Sequence, residues 1–169
     1  MADLSRFKTV NCTCNVCVAM CEEKPCHGTP EEMQRLMDAG HSDRLALYFC
    51  QNYDLKPNLE YVEYLAPSPV VEQHGCTFLK DKRCELHASG MKPLEGRVVL
   101  HGKTNMKRFP VPKGYTLREY IASLWANEPA QLLVDSWKRS HLTSNEYDAV
   151  KAGMLRRALA FPKSAACYR

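Results

Sequence analysis

Met33, Leu36 and Met37 recur at helical spacing just downstream of a strong start signal. Thr29 suits the N-cap, Pro30 suits the first helical position, and Glu32 completes a Thr-x-x-Glu capping box. Gly40 supplies the stop, so the pattern predicts a helix over about 30–39. Asp43 to Cys50 reads as a second short helix, and Leu59 to Leu65 alternates imperfectly, as a weak strand.

Further along, Cys76-Thr-Phe-Leu79 and Cys84-Glu-Leu-His87 flank Lys80-Asp-Lys-Arg83. That is the pattern of a β-hairpin turning at Asp81 and Lys82, which would bring Cys76 and Cys84 close across the strands. From 97 to 115 the chain is turn-rich, with Pro110, Pro112 and Gly114, and reads as a connection. Three helices are predicted after it. Thr116-Leu-Arg-Glu119 caps one at about 117–126, Pro129 opens one at about 128–140, and Thr143-Ser-Asn-Glu146 caps one ending before Pro162. Trp125 and Trp137 share helical spacing with Leu124, Leu132 and Leu133 and read as packing residues. The fold class expected is a small, mainly helical α+β domain with a short β-hairpin and a C-terminal helical extension.

Composition alters this picture in two respects. With 169 residues, 45% hydrophobic and 25% charged, the chain suits one compact domain, and no apolar run approaches the ~18 residues of a membrane span. The first residues, Met1 to Lys8, lack the apolar core of a secretory signal, so the expected location is cytoplasmic. Charge is also polarised. Residues 1–96 hold 10 Lys and Arg against 14 Asp and Glu (net −4), and residues 97–169 hold 13 against 5 (net +8). Between Arg97 and Arg118 there is no acid, while Lys103, Lys107, Arg108 and Lys113 interleave with Phe109 and Tyr115. The region 97–118 is therefore a candidate contact for nucleic acid or a protein partner, or a solvated linker that complements the acidic front.

The cysteines carry the chemistry. Of nine, five lie at Cys12, Cys14, Cys17, Cys21 and Cys26, and two more at Cys76 and Cys84. In a reducing compartment such clustering reads as metal-binding or redox-active. Cys14, Cys17 and Cys21 would share one face of a helix, and in a loop Cys14-x-x-Cys17 would form a chelate turn. Cys26 precedes the N-terminus of the helix capped at Thr29, where partial positive charge favours a thiolate. The ligand candidates are Cys14, Cys17, Cys21, Cys26, Cys76 and Cys84. Cys12, His27, His87 and His101 are left open, while Cys50 and Cys167 read as bystanders. That is more than one tetrahedral site requires, so some are spare or the site is polynuclear. Zinc is favoured because His27, His74 and His87 adjoin the cysteines and neither ferredoxin spacing occurs; an iron–sulfur cluster is the alternative.

Cys14-Asn-Val-Cys17-Val-Ala-Met-Cys21, Thr29-Pro-Glu-Glu32, the two hairpin segments and Lys92-Pro-Leu-Glu-Gly-Arg97 together resemble the YkgJ-like (CxxCxxCC) family of zinc- or iron-chelating domains. The likeness covers about residues 11–101 and implies that Cys14, Cys17, Cys21, Cys76 and Cys84 are ligand positions. It departs at Glu22, where the family has the second cysteine of an adjacent pair, and at Leu94-Glu-Gly96, which lacks a further cysteine. On this reading residues 1–101 form a cysteine-cluster metal-binding domain, and 102–169 a basic connector and helical region packed on it. The expected function is metal binding in a protein acting through interactions; the alternative is an iron–sulfur or zinc enzyme or redox protein with an open metal site. No nucleophile elbow, phosphate-binding Gly loop or His-Glu-x-x-His motif accompanies the cysteines.

Overall fold

The computed structural model describes residues 11–52, 62–98, 115–143 and 145. The chain opens with α1 (Asn15–Glu23), followed by α2 (Pro30–Asp38). In α2 the expected capping box is present: Glu32 N–H donates to Thr29 Oγ1 and Thr29 N–H donates to the Glu32 carboxylate. Gly40, at φ +82°, ends the helix. Its N–H reaches Met37 O at 2.9 Å and that of His41 reaches Leu36 O at 3.0 Å, a Schellman arrangement that only a left-handed residue closes cheaply.

The expected helix over Asp43–Cys50 is instead a short 3-10 turn at Ser42–Arg44 and a strand, β1 (Leu45–Asn52). β1 pairs antiparallel with β2 (Val62–Pro69), from Leu45 opposite Pro69 to Asn52 opposite Val62. Tyr and Phe at its centre suit a strand, and the long register with β2 outweighs the local pattern. Leu59–Leu65 overlaps β2 only at its end, and residues 53–61 lie outside the described set.

Two small strand pairs follow: β3 (Val71–Glu72) with β4 (Gly75–Cys76), and β5 (Leu79–Lys80) with β6 (Arg83–Cys84). The turn at Asp81 and Lys82 is where the sequence places it, both residues having positive φ (48° and 61°) as a two-residue hairpin requires. The expected hairpin is narrower than read, however. Cys84 faces Leu79, while Cys76 faces Val71 in the preceding pair. A short helix, α3 (Leu94–Val98), comes next, then α4 (Leu117–Trp125) and α5 (Glu128–His141).

α4 repeats the capping box at Thr116 and Glu119, and Asn127 caps α5 by accepting from Ala130 N–H at 2.9 Å. Helix α4 packs on β1 and β2, and α5 on β2 and α2. Their inward residues Leu117, Ile121, Trp125, Val134 and Trp137 join Met33, Leu36, Leu65, Phe78, Leu86 and Leu94 in one continuous core. The molecule is thus an α+β domain, as the sequence indicates, with three strand pairs among the described residues where one hairpin is expected. The expected helix after Thr143, His101, Cys167 and most of the basic region 97–118 lie outside the described residues. Among the described residues no helix is long and apolar enough to cross a membrane.

Candidate metal centre

All seven cysteines of the two sequence groups are described, and all are present as thiols. They fall into two sets in space.

The first set is Cys12, Cys14 and Cys17, whose Sγ atoms all lie within 4.8 Å of one another. Cys14 is the N-cap of α1 and Cys17 lies in its first turn, so the start of the helix fixes the spacing of these two sulfurs. Cys12 bends back onto them: Cys14 N–H donates to Cys12 Sγ at 3.4 Å. With Zn–S near 2.3 Å, thiolates on one tetrahedral ion lie about 3.8 Å apart, so this tripod matches one soft ion after a small contraction. Cys12, left open by the sequence reading, is one of its three members.

The second set is Cys21, Cys26, Cys76 and Cys84. Cys21 lies on the last turn of α1, and its thiol is hydrogen-bonded to that of Cys26, which is buried in the loop before α2. Cys76 and Cys84 sit close enough to couple electrostatically to Cys21. Contacts between main chains set this convergence. Gly75, at φ +104°, packs so tightly on the end of α1 that an added Cβ would lie 3.1 Å from Glu22 Cα. Gly96 in α3 adjoins Cys26, since a Cβ built there would stand in ordinary contact with its Sγ at 3.5 Å.

Backbone donors support two of these sulfurs. The N–H of Phe78 is directed at Cys76 Sγ, and those of Leu86 and His87 at Cys84 Sγ. Such bonds stabilise a charged sulfur and orient it. Arg44 braces both turns at once. Its guanidinium donates to Thr77 O and to Glu85 at 2.6 Å, and lies 3.8 Å over the Phe78 ring. The hydrogen bond from Arg44 holds the Glu85 carboxyl below its usual range.

The thiols differ in acidity. The hydrogen bond from Cys26 lowers Cys21 from 9.0 to about 7, with Lys92 assisting. The same bond, then complete burial, pushes Cys26 up. Burial raises Cys76 to about 11 and also raises Cys84. In the absence of a cation most of these buried sulfurs are therefore protonated at neutral pH, and a bound divalent ion would displace their protons.

The two sets share a small cavity, lined by Cys12, Cys17, Cys21, Cys26, Cys84 and Lys92 among others. Of the histidines, His27 has Nδ1 engaged with Ser68 Oγ at 2.9 Å, and His74 is exposed at the β3–β4 turn. His87 Nδ1 is buried with no hydrogen-bond partner among the described residues. The carboxylate of Glu95 takes the His27 N–H at 3.0 Å and pairs with Lys24 at 3.5 Å. It thereby anchors α3 to the Cys26 loop.

The arrangement is suited to holding a soft metal ion. Which metal it holds is a matter for proposal. No protein-family model, curated protein or solved structure matches this chain.

Proposed function

We propose that this chain is a zinc-binding cysteine-cluster protein of the YkgJ-like kind, whose metal organises the front half for contact with other macromolecules. The observation that carries the reading is the tripod of Cys12, Cys14 and Cys17, with sulfurs within 4.8 Å of one another and further thiols beside it. Soft thiolates select zinc or iron–sulfur over harder cations. Zinc is preferred because a tetrahedral ion suits a tripod with sulfurs this close. The iron–sulfur alternative draws on a different observation: five of the residues lining the shared cavity are cysteines and none is a histidine.

Elemental analysis of the purified protein together with its absorption spectrum separates these readings. Zinc in a colourless preparation supports the proposal. Iron with sulfide and visible absorption replaces it with the alternative, and a chain free of both metals removes both. Cys84→Ser is expected to lower metal content and destabilise the fold, whereas Cys167→Ser leaves metal content at the parental level.

A further inference from the structure

Seven thiols exceed what a single tetrahedral ion can use, and they are not distributed as one shell. The tripod is formed within six positions of chain at the entry to α1, and all three members are half-buried. The other four come from separate pieces of chain: the end of α1, the loop before α2, β4 and β6. Cys21 lies one helical turn beyond Cys17, so α1 itself is the spacer between the sets.

Several features mark the second set. It contains Cys26, the one buried cysteine among the described residues. It has main-chain N–H groups directed at Cys76 and Cys84. Lys92 lies near Cys21 and Cys84, where its charge offsets part of the excess negative charge of four thiolates on a divalent ion. A buried thiol, fixed donors on its neighbours and a nearby cation are the supporting shell of a closed, structural site. These four sulfurs are less tightly gathered than the tripod, which is the one group of three or more among the described residues within 4.8 Å. Ion binding would draw them inward.

Resting on the metal-binding reading above, we propose that the chain carries two metal centres. An inner one is formed by Cys21, Cys26, Cys76 and Cys84, and takes a soft divalent cation as a closed four-thiolate site. The outer one is the tripod of Cys12, Cys14 and Cys17, which supplies three thiolates from a half-exposed turn and exchanges its ion more readily. The inner centre holds the fold together. The outer centre is an appendage that can be emptied while the fold stands.

The test uses the full chain, stripped with chelator under reductant and reloaded with Zn²⁺, with bound zinc counted after gel filtration. Two equivalents are expected for the parent, one removed quickly by chelator and one slowly. The double variant Cys12→Ser, Cys17→Ser is expected to keep one equivalent, the slow one, and the parental near-ultraviolet circular dichroism of the buried tryptophans. Cys26→Ser is expected to lose the slow equivalent. One equivalent in the parent, or two that disappear together in the double variant, overturns the two-centre proposal while leaving metal binding intact. No zinc at all overturns both.

Discussion

Glu32 is the residue whose removal tests most of this structure at once. Its carboxylate is buried, 5% exposed at the side chain, and accepts from Thr29 N–H at 3.0 Å, from Leu94 N–H at 2.9 Å and from the guanidinium of Arg97. It therefore caps α2, fixes the start of α3 and neutralises an arginine that is itself only 15% exposed. Glu32→Ala leaves that guanidinium without its carboxylate and two main-chain donors without their acceptor. Breaking a buried ion pair from one side costs about 3–5 kcal/mol. Each orphaned N–H adds about 1–3 kcal/mol where water cannot reach it. Relaxation absorbs part of this total, so a loss of about 4 kcal/mol is expected, a large share of the ~5–15 kcal/mol typical of a domain. The assay is urea unfolding of the metal-free chain, followed by circular dichroism and fitted with a common slope. Adding Arg97→Met to Glu32→Ala should recover about 1–3 kcal/mol, because the uncompensated charge is then gone. A Glu32→Ala loss below about 1 kcal/mol, or no recovery in the double variant, would refute the role assigned to this carboxylate.

Other outcomes follow from the geometry. Trp125→Phe removes the indole N–H that donates to Gly28 O at 2.9 Å, and should cost about 1–3 kcal/mol in the same urea assay, while a neutral result means water satisfies that carbonyl. In metal-free protein, Cys21 should be alkylated by iodoacetamide before Cys76 and Cys84, with a rate that rises through about pH 7; peptide mapping that finds Cys76 modified ahead of Cys21 contradicts this. Cys76 is raised from 9.0 to about 11, so the unfolded chain releases its proton at lower pH than the folded one. Its contribution to metal-free stability is thus present in full below pH 9 and lost as pH rises through about 11. The alkaline fall in stability should be shallower in Cys76→Ala; equal slopes would show that the thiol is not shielded.

The helices were legible because their signals are local. Thr29 with Glu32, Thr116 with Glu119, and Pro129 all mark starts that the structure keeps. The turn at Asp81 and Lys82 was legible for the same reason. The pattern reads Asp43–Cys50 as a helix because what makes Leu45–Asn52 a strand is a partner whose register begins some ten residues later. The short α3 carries no cap motif, and its placement depends on Glu32 and on Glu95, both acting across more than sixty residues. For the site, the sequence nominated the cysteines but not their grouping. Cys12 is a seventh candidate in the sequence, and the chain before α1 places its sulfur beside those of Cys14 and Cys17.

The bond between Trp125 and Gly28 spans 97 positions of chain. Ribosomes deliver the cysteine-bearing portion long before they deliver α4, whose apolar face covers β1 and β2. Until that helix emerges, nascent thiols stand on an unfinished support, exposed to oxidants and to whatever ions the cell supplies. Maturation of the sulfur-rich segment is thereby deferred until α4 has been made, and a chain terminated ahead of residue 115 would be released without the indole that holds Gly28 in place.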